Sequence, residues 1–212
     1  MSRRLHQVLC DSPHLADYVE ELVVYTTTLS VDETLHLVFQ KLRNLERLTI
    51  DLQGYHWADL DHGLRQACCW GLQLPSMRFA SVRGPFRNMN ELESFLYYAQ
   101  GLQHLDLRIE FKPSPKTLML EDGKGHKSER LDPHYLTPLQ DLTLLISDSI
   151  FLDWLLGNRS LFPVSHIHTL EITYPWQDAG GDSIHRLLQN IGPTIHNLSI
   201  HSPQLGERHL PM

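Results

Sequence analysis

The sequence is poor in cysteine, in positive charge and in long apolar runs, and each shortage excludes a class of protein. Its 212 residues include three cysteines, Cys10, Cys68 and Cys69. An odd number with an adjacent pair does not make a disulfide framework, so we expect an intracellular location, in the cytoplasm or nucleus. Lys and Arg total 18 against 25 Asp and Glu, and the absence of a basic stripe argues against a nucleic-acid partner.

The sequence also has no stretch that would enter a membrane. No apolar run reaches the roughly 18 residues that indicate a membrane-spanning helix. The first ten residues lack the apolar core of a signal peptide. We therefore expect no membrane partner.

Motifs of enzymes and of metal sites are missing as well. There is no nucleophile elbow and no Ser/His/Asp arrangement that spacing would support. Residues 122–128 resemble a phosphate loop but lack the glycine required directly before Lys127. His166, His168 and His196 have no carboxylate or cysteine at a ligand spacing. We predict no catalytic residue, no metal and no cofactor, and we interpret Cys68 as a small core residue.

What the sequence has instead is a repeat. Residues 42–50 contain the frame Leu45-x-x-Leu48-x-Ile50, and six further segments share this pattern of apolar residues. The middle apolar residues are Leu22, Leu48, Met77, Leu105, Leu142, Leu170 and Leu198, so the steps are 26, 29, 28, 37, 28 and 28 residues. Seven loose matches near one spacing indicate a repeat architecture.

Each frame predicts a strand, and the third frame, with Met77 in the middle, predicts one at Ser76–Ala80. Helical spacing of apolar residues fills the segments between frames. Ser30 and Glu33 have the spacing of a capping box ahead of one such helix, and we expect Asn88 and Glu91 to cap another. The predicted fold class is α/β: a leucine-rich-repeat solenoid of about seven irregular repeats, with a curved parallel sheet and helices on its convex side. We expect one domain over residues 1–202, with an inserted loop at 110–135 and a flexible tail at 203–212.

Two segments carry a family resemblance. Residues 5–22, which include Ser12-Pro-His-Leu-Ala-Asp-Tyr-Val19, and residues 42–50 resemble the repeat region of F-box/LRR-like proteins of basidiomycete fungi. The likeness extends thinly over residues 5–202. In that family an upstream F-box binds the Skp adaptor of a ubiquitin ligase, and the resemblance implies a repeat region that recognises a protein. Nothing before Leu5 could encode an F-box, so Skp binding lacks support, and a truncated product, a fragment and a relative without the box all stay open.

Side chains between the buried strand positions should line the concave face of the sheet. Tyr and Arg anchor many protein interfaces, and we select nine protein-binding candidates: Tyr25, Arg47, Arg78, His104, Asp106, Arg108, Glu171, Tyr174 and Trp176. Four of them form the best local cluster, in which Asp106 is expected to pair with Arg78 or Arg108. The alternative for any single residue is an ordinary solvated strand position.

The leading functional hypothesis is a noncatalytic protein-interaction module with a protein partner of unknown identity. It would be the substrate-recognition half of an F-box-type receptor that lacks its F-box. The main alternative is a hydrolase or other enzyme on a parallel α/β sheet, which would need convergent polar groups in a cleft. A third is a remnant that still folds but has no function.

Overall fold

The computed structural model describes residues 2–26, 34–99, 101–112, 138–146, 150–157, 162–173 and 181–201. Its α-helices are α1 (Ser2–Asp11), α2 (Leu35–Lys41), α3 (His62–Leu72), α4 (Met89–Leu96), α5 (Ile150–Leu156) and α6 (Gly181–Ile191). Its strands are β1 (Glu21–Tyr25), β2 (Arg47–Asp51), β3 (Phe79–Phe86), β4 (His104–Phe111), β5 (Asp141–Ile146), β6 (Thr169–Thr173) and β7 (Asn197–His201). Most of the predicted inserted loop, and all of the predicted tail, lie outside the described residues.

The strands form one parallel sheet in which neighbours follow chain order from β1 to β7. One residue of each strand belongs to a continuous row across the sheet: Leu22, Leu48, Ala80, Leu105, Leu142, Leu170 and Leu198. Six of these seven are the middle apolar residues of the sequence repeat. The prediction of an α/β fold with a parallel sheet is therefore confirmed.

The predicted frame of the third repeat is wrong. The sequence places a strand at 76–80 with Met77 in the common row, whereas β3 spans Phe79–Phe86 and Ala80 occupies that row. The correct frame is Met77-x-x-Ala80-x-Val82. Both frames contain Met77 and both satisfy the apolar pattern, so the pattern alone does not distinguish them.

Alternate strand residues pack against the helices and form the core. Leu48, Ile50, Leu107 and Ile172 are fully buried, and each such side chain stabilises the fold by roughly 1.5–3 kcal/mol relative to exposure. Gly71 of α3 shows how close the layers are. A Cβ there would lie 2.7 Å from the Phe39 ring on α2 and 2.9 Å from Leu48 on β2.

The predicted capping of α4 by Asn88 and Glu91 is confirmed, whereas the capping box predicted at 30–33 lies outside the described residues. The Asn88 side chain accepts a hydrogen bond from the backbone N–H of Glu91 at 3.0 Å. The Glu91 carboxylate in turn accepts one from the backbone N–H of Arg87 at 2.6 Å. The first bond satisfies a donor that the first helical turn leaves without a partner, and the second satisfies the N–H of the residue before the cap. Throughout the ranges described, every helix is too short or too polar to cross a bilayer.

Candidate interaction surface

The face of the sheet turned away from the core residues carries side chains in rows, because neighbouring parallel strands align residue by residue. We call it the open face. Its first row crosses the sheet through Glu21, Arg47, Phe79, His104, Asp141, Thr169 and Asn197. The second row runs Val23, Thr49, Ser81, Asp106, Thr143, Glu171 and Ser199, and the third runs Tyr25, Asp51, Arg83, Arg108, Leu145, Thr173 and His201.

The first row is a chain of side-chain contacts across five strands. Arg47 Nε lies 3.9 Å from Glu21 Oε2, and its guanidinium carbon lies 4.3 Å from the centroid of the Phe79 ring. The Phe79 and His104 rings are 6.5 Å apart, and His104 Nδ1 lies 2.5 Å from Asp141 Oδ2. Exposed contacts of this kind contribute at most about 1 kcal/mol each. The main effect of these contacts is to restrict the rotation of the side chains that make them.

The second row has a buried polar centre. Ser81 and Asp106 are almost fully covered, and Ser81 Oγ donates a hydrogen bond to Asp106 Oδ2 at 2.9 Å. Arg108 Nε lies 3.2 Å from the other carboxylate oxygen. The carboxylate is thus paired with a cation and hydrogen-bonded, as a buried charge must be.

The third row combines exposed apolar surface with the guanidinium of Arg83. Tyr25 is 60% exposed and Leu145 is 42% exposed. Arg83 lies between Asp51 and Arg108, and its Nε is buried without a hydrogen-bond partner among the residues that the structure describes. The third row therefore offers a binding partner an aromatic ring, an aliphatic side chain and a guanidinium.

Six of the nine predicted site residues lie on the open face: Tyr25, Arg47, His104, Asp106, Arg108 and Glu171. The predicted pairing of Asp106 with Arg108 is confirmed. Arg78 lies outside the cluster, because it precedes β3 and its Nη1 donates to the backbone oxygens of Pro75 and Met77, both at 2.9 Å. Tyr174 and Trp176 lie outside the described residues.

Sequence reasoning missed Phe79 and Arg83 on this face. Both omissions follow from the misplaced third frame, which buries Phe79 and ends the strand before Arg83. The signal that could have found them is the alternative frame with Ala80 and Val82 inward, since it puts residues 79, 81 and 83 on the open face.

The histidine and cysteine candidates have simple surroundings. The His168 and His196 rings stack with centroids 5.2 Å apart. Across the described ranges no three His, Cys, Asp or Glu residues converge as metal ligands. Cys68 is fully buried and lies in the core as predicted, and burial raises the pKa of its thiol far above the ordinary range.

Comparisons with known proteins do not assign this chain to a family. The chain matches no protein-family model, no curated protein and no solved structure. The sheet and its open face are therefore the grounds for a functional assignment.

Proposed function

We propose that the chain is an irregular leucine-rich-repeat solenoid that binds a partner protein on the open face of its sheet. The observation that carries this proposal is the continuous first row from Glu21 to Asp141, in which each side chain contacts the next. Such a row presents charges and rings in a fixed arrangement over several strands. We propose no catalytic role for it.

The solenoid half of the proposal is supported by the regular step from strand to strand. The backbone N–H groups of His168 and Thr169 both donate to the Gln140 oxygen, and those of His196 and Asn197 both donate to the His168 oxygen. The same pairing joins Glu46 and Arg47 to Glu20 near the other end of the sheet. Repetition of one local geometry at each step is typical of stacked repeats.

The binding half is supported by the composition of the open face. Tyr and Arg are enriched at protein interfaces and often dominate binding energy there. Arg47 lies against Phe79, and Arg108 is tethered to Asp106. These two side chains would lose less conformational freedom on binding than free arginines, which favours affinity.

The family resemblance supports a more specific proposal. The chain would act in the cytoplasm or nucleus as the substrate-recognition half of an F-box-type ubiquitin-ligase receptor. The bound protein would be the one selected for ubiquitin transfer. This version rests on the sequence similarity over residues 5–202, and it requires an F-box supplied from elsewhere.

Site-specific photocrosslinking in an extract of the source organism tests the binding face. A photoreactive residue at Thr49 would lie on the open face, and one at the exposed Gln40 of α2 would lie on the helix side. We expect a partner band with the Thr49 probe that disappears when Tyr25→Ala and Arg47→Ala are added. An equally strong band from the Gln40 probe, unaffected by these substitutions, would reject the open face as the binding surface.

A further inference from the structure

A groove on the helix side of the molecule separates α3 from α4. Its volume is about 450 Å³, and its walls include Trp57, Trp70, Phe95 and Tyr98. Trp57, which lies in a short 3-10 helix (Trp57–Asp59), packs its ring 4.6 Å from Phe95. A cleft of this volume falls in the range of about 300–1,000 Å³ that is usual for small-molecule sites.

Ring contacts hold the aromatic walls of this groove in place. Trp70 on α3 meets the His36 ring edge-on, with centroids 6.0 Å apart, and remains 37% exposed. Tyr98 makes a T-shaped contact with Tyr97 at 5.6 Å. The groove thus offers exposed ring surface whose positions are fixed by neighbours before any ligand arrives.

Arg65 supplies a guanidinium to the same groove. Within the described part of the chain its guanidinium makes no ion pair and no hydrogen bond, and its Nε is buried. Among the described residues that line the groove, none is acidic. The Glu91 carboxylate interacts with the charge of Arg65 but lies beyond ion-pair distance, and it accepts a hydrogen bond from the backbone N–H of Arg87.

Cys69, which also lines the groove, does not neutralise Arg65. Burial raises the pKa of its thiol to about 11, although the charge of Arg65 acts in the opposite direction. The thiol is therefore uncharged at neutral pH. It adds a polarisable apolar surface beside the guanidinium.

We propose that the groove between α3 and α4 binds a small aromatic carboxylate, with the ring against Trp70 and Tyr98 and the carboxylate on Arg65. A guanidinium with free N–H groups is the side chain best suited to a planar carboxylate, because the two can form parallel charge-assisted hydrogen bonds. This site lies on the opposite side of the sheet from the open face and does not depend on the proposed protein partner.

Calorimetric titration with 2-naphthoate and 2-naphthamide tests the proposal on the unmodified chain. The two probes share a ring system and differ in charge. We expect 2-naphthoate to bind about tenfold more tightly, since a hydrogen bond to a charged group is worth at least this factor. Equal affinity for the two probes, or no saturable binding of either, would overturn the proposal.

Three variants assign the binding to this groove. Arg65→Met should abolish the preference for 2-naphthoate over 2-naphthamide, and Trp70→Ala should weaken the binding of both probes. Arg3→Met removes an exposed arginine from α1 and should bind like the parent chain. A preference for naphthoate that survives in folded Arg65→Met would place the site elsewhere. If that variant fails to fold, weaker binding of both probes to Trp70→Ala still assigns the site to the groove, and unchanged binding to Trp70→Ala would overturn the proposal.

Discussion

Arg47 on β2 lies over the ring of Phe79 on β3, with the guanidinium carbon 4.3 Å from the ring centroid. The two residues are direct partners in the sheet register. An aromatic ring on the open face is stabilised there by the cation, and this explains how a large apolar residue occupies a position that is polar in most other strands.

A double-mutant cycle on Arg47→Met and Phe79→Leu should measure this contact. We expect a coupling of about 0.5–1 kcal/mol, the usual value for an exposed cation–π pair. Urea unfolding of the four proteins gives the free energies of unfolding. The pair Arg47→Met and Thr173→Ala, which lie four strands apart, should show no coupling. A cycle on Arg47 and Phe79 that is indistinguishable from this control would contradict the contact.

Asp106→Ala should destabilise the protein by about 1–3 kcal/mol, because it leaves the buried Ser81 hydroxyl without its acceptor. Asp17→Ala removes an exposed carboxylate from the segment before β1 and should change stability by less than about 0.5 kcal/mol. Thermal and urea unfolding of both variants measure the difference. Equal stabilities of the two variants would mean that the hydrogen bond from Ser81 to Asp106 contributes nothing.

Gly71→Ala places two effects in opposition. Alanine favours a helix over glycine by about 1 kcal/mol, but the new methyl would meet the Phe39 ring at 2.7 Å and Leu48 at 2.9 Å. Because overpacking of a core usually costs about 1–3 kcal/mol, we expect net destabilisation.

Gly63→Ala in the same helix is the control for Gly71→Ala. Its methyl would approach only the exposed Asp61 side chain, at 3.1 Å. The control should therefore be the more stable of the two variants in urea unfolding. A Gly71→Ala protein more stable than the parent would show that α3 moves away from β2 at no cost.

Glu91→Gln should make stability less dependent on pH. Burial raises the pKa of Glu91 above its ordinary value of 4.5, against the opposing influence of Arg87, His56 and Arg65. Between pH 4.5 and the raised pKa of the folded state, Glu91 therefore keeps a proton in the folded protein that the unfolded chain has released. The contribution of Glu91 to stability is greatest below pH 4.5 and falls as the pH rises through the folded-state pKa.

The advantage of Glu91→Gln over the parent should accordingly grow from acid to neutral pH. Glutamine retains an oxygen that can accept the hydrogen bond from the Arg87 backbone N–H. Urea unfolding at a series of pH values measures this difference. Glu93→Gln on the same helix removes a carboxylate without disturbing that bond and serves as the reference. A difference in stability that shrinks toward neutral pH would mean that the folded state lowers the pKa of Glu91 and does not raise it.

Much of the sheet could be predicted from the sequence because apolar spacing reports which strand residues must be buried. Leu48, Leu105, Leu142 and Leu170 were placed correctly on this ground alone. The pairing of Asp106 with Arg108 was also predictable, because residues two apart in a strand share a face. These features depend on local periodicity, which the sequence displays directly.

The third strand and the groove depend on tertiary structure and could not be predicted in the same way. Met77 fits two frames, and the choice between them is made by pairing with β2 and by the contact between Arg47 and Phe79. The surroundings of Arg65 depend on how far α4 lies from α3. No spacing within either helix encodes that distance.

A sheet whose strands follow one another in chain order has no central element on which all others depend. Each strand touches only its predecessor and its successor, so loss of one terminal unit would leave the hydrogen bonds of the remaining strands intact. Gain or loss of a unit during evolution would lengthen or shorten the array without changing the pattern of its remaining members. Under the proposed function, the number of units would set the area of the open face that a partner protein can contact.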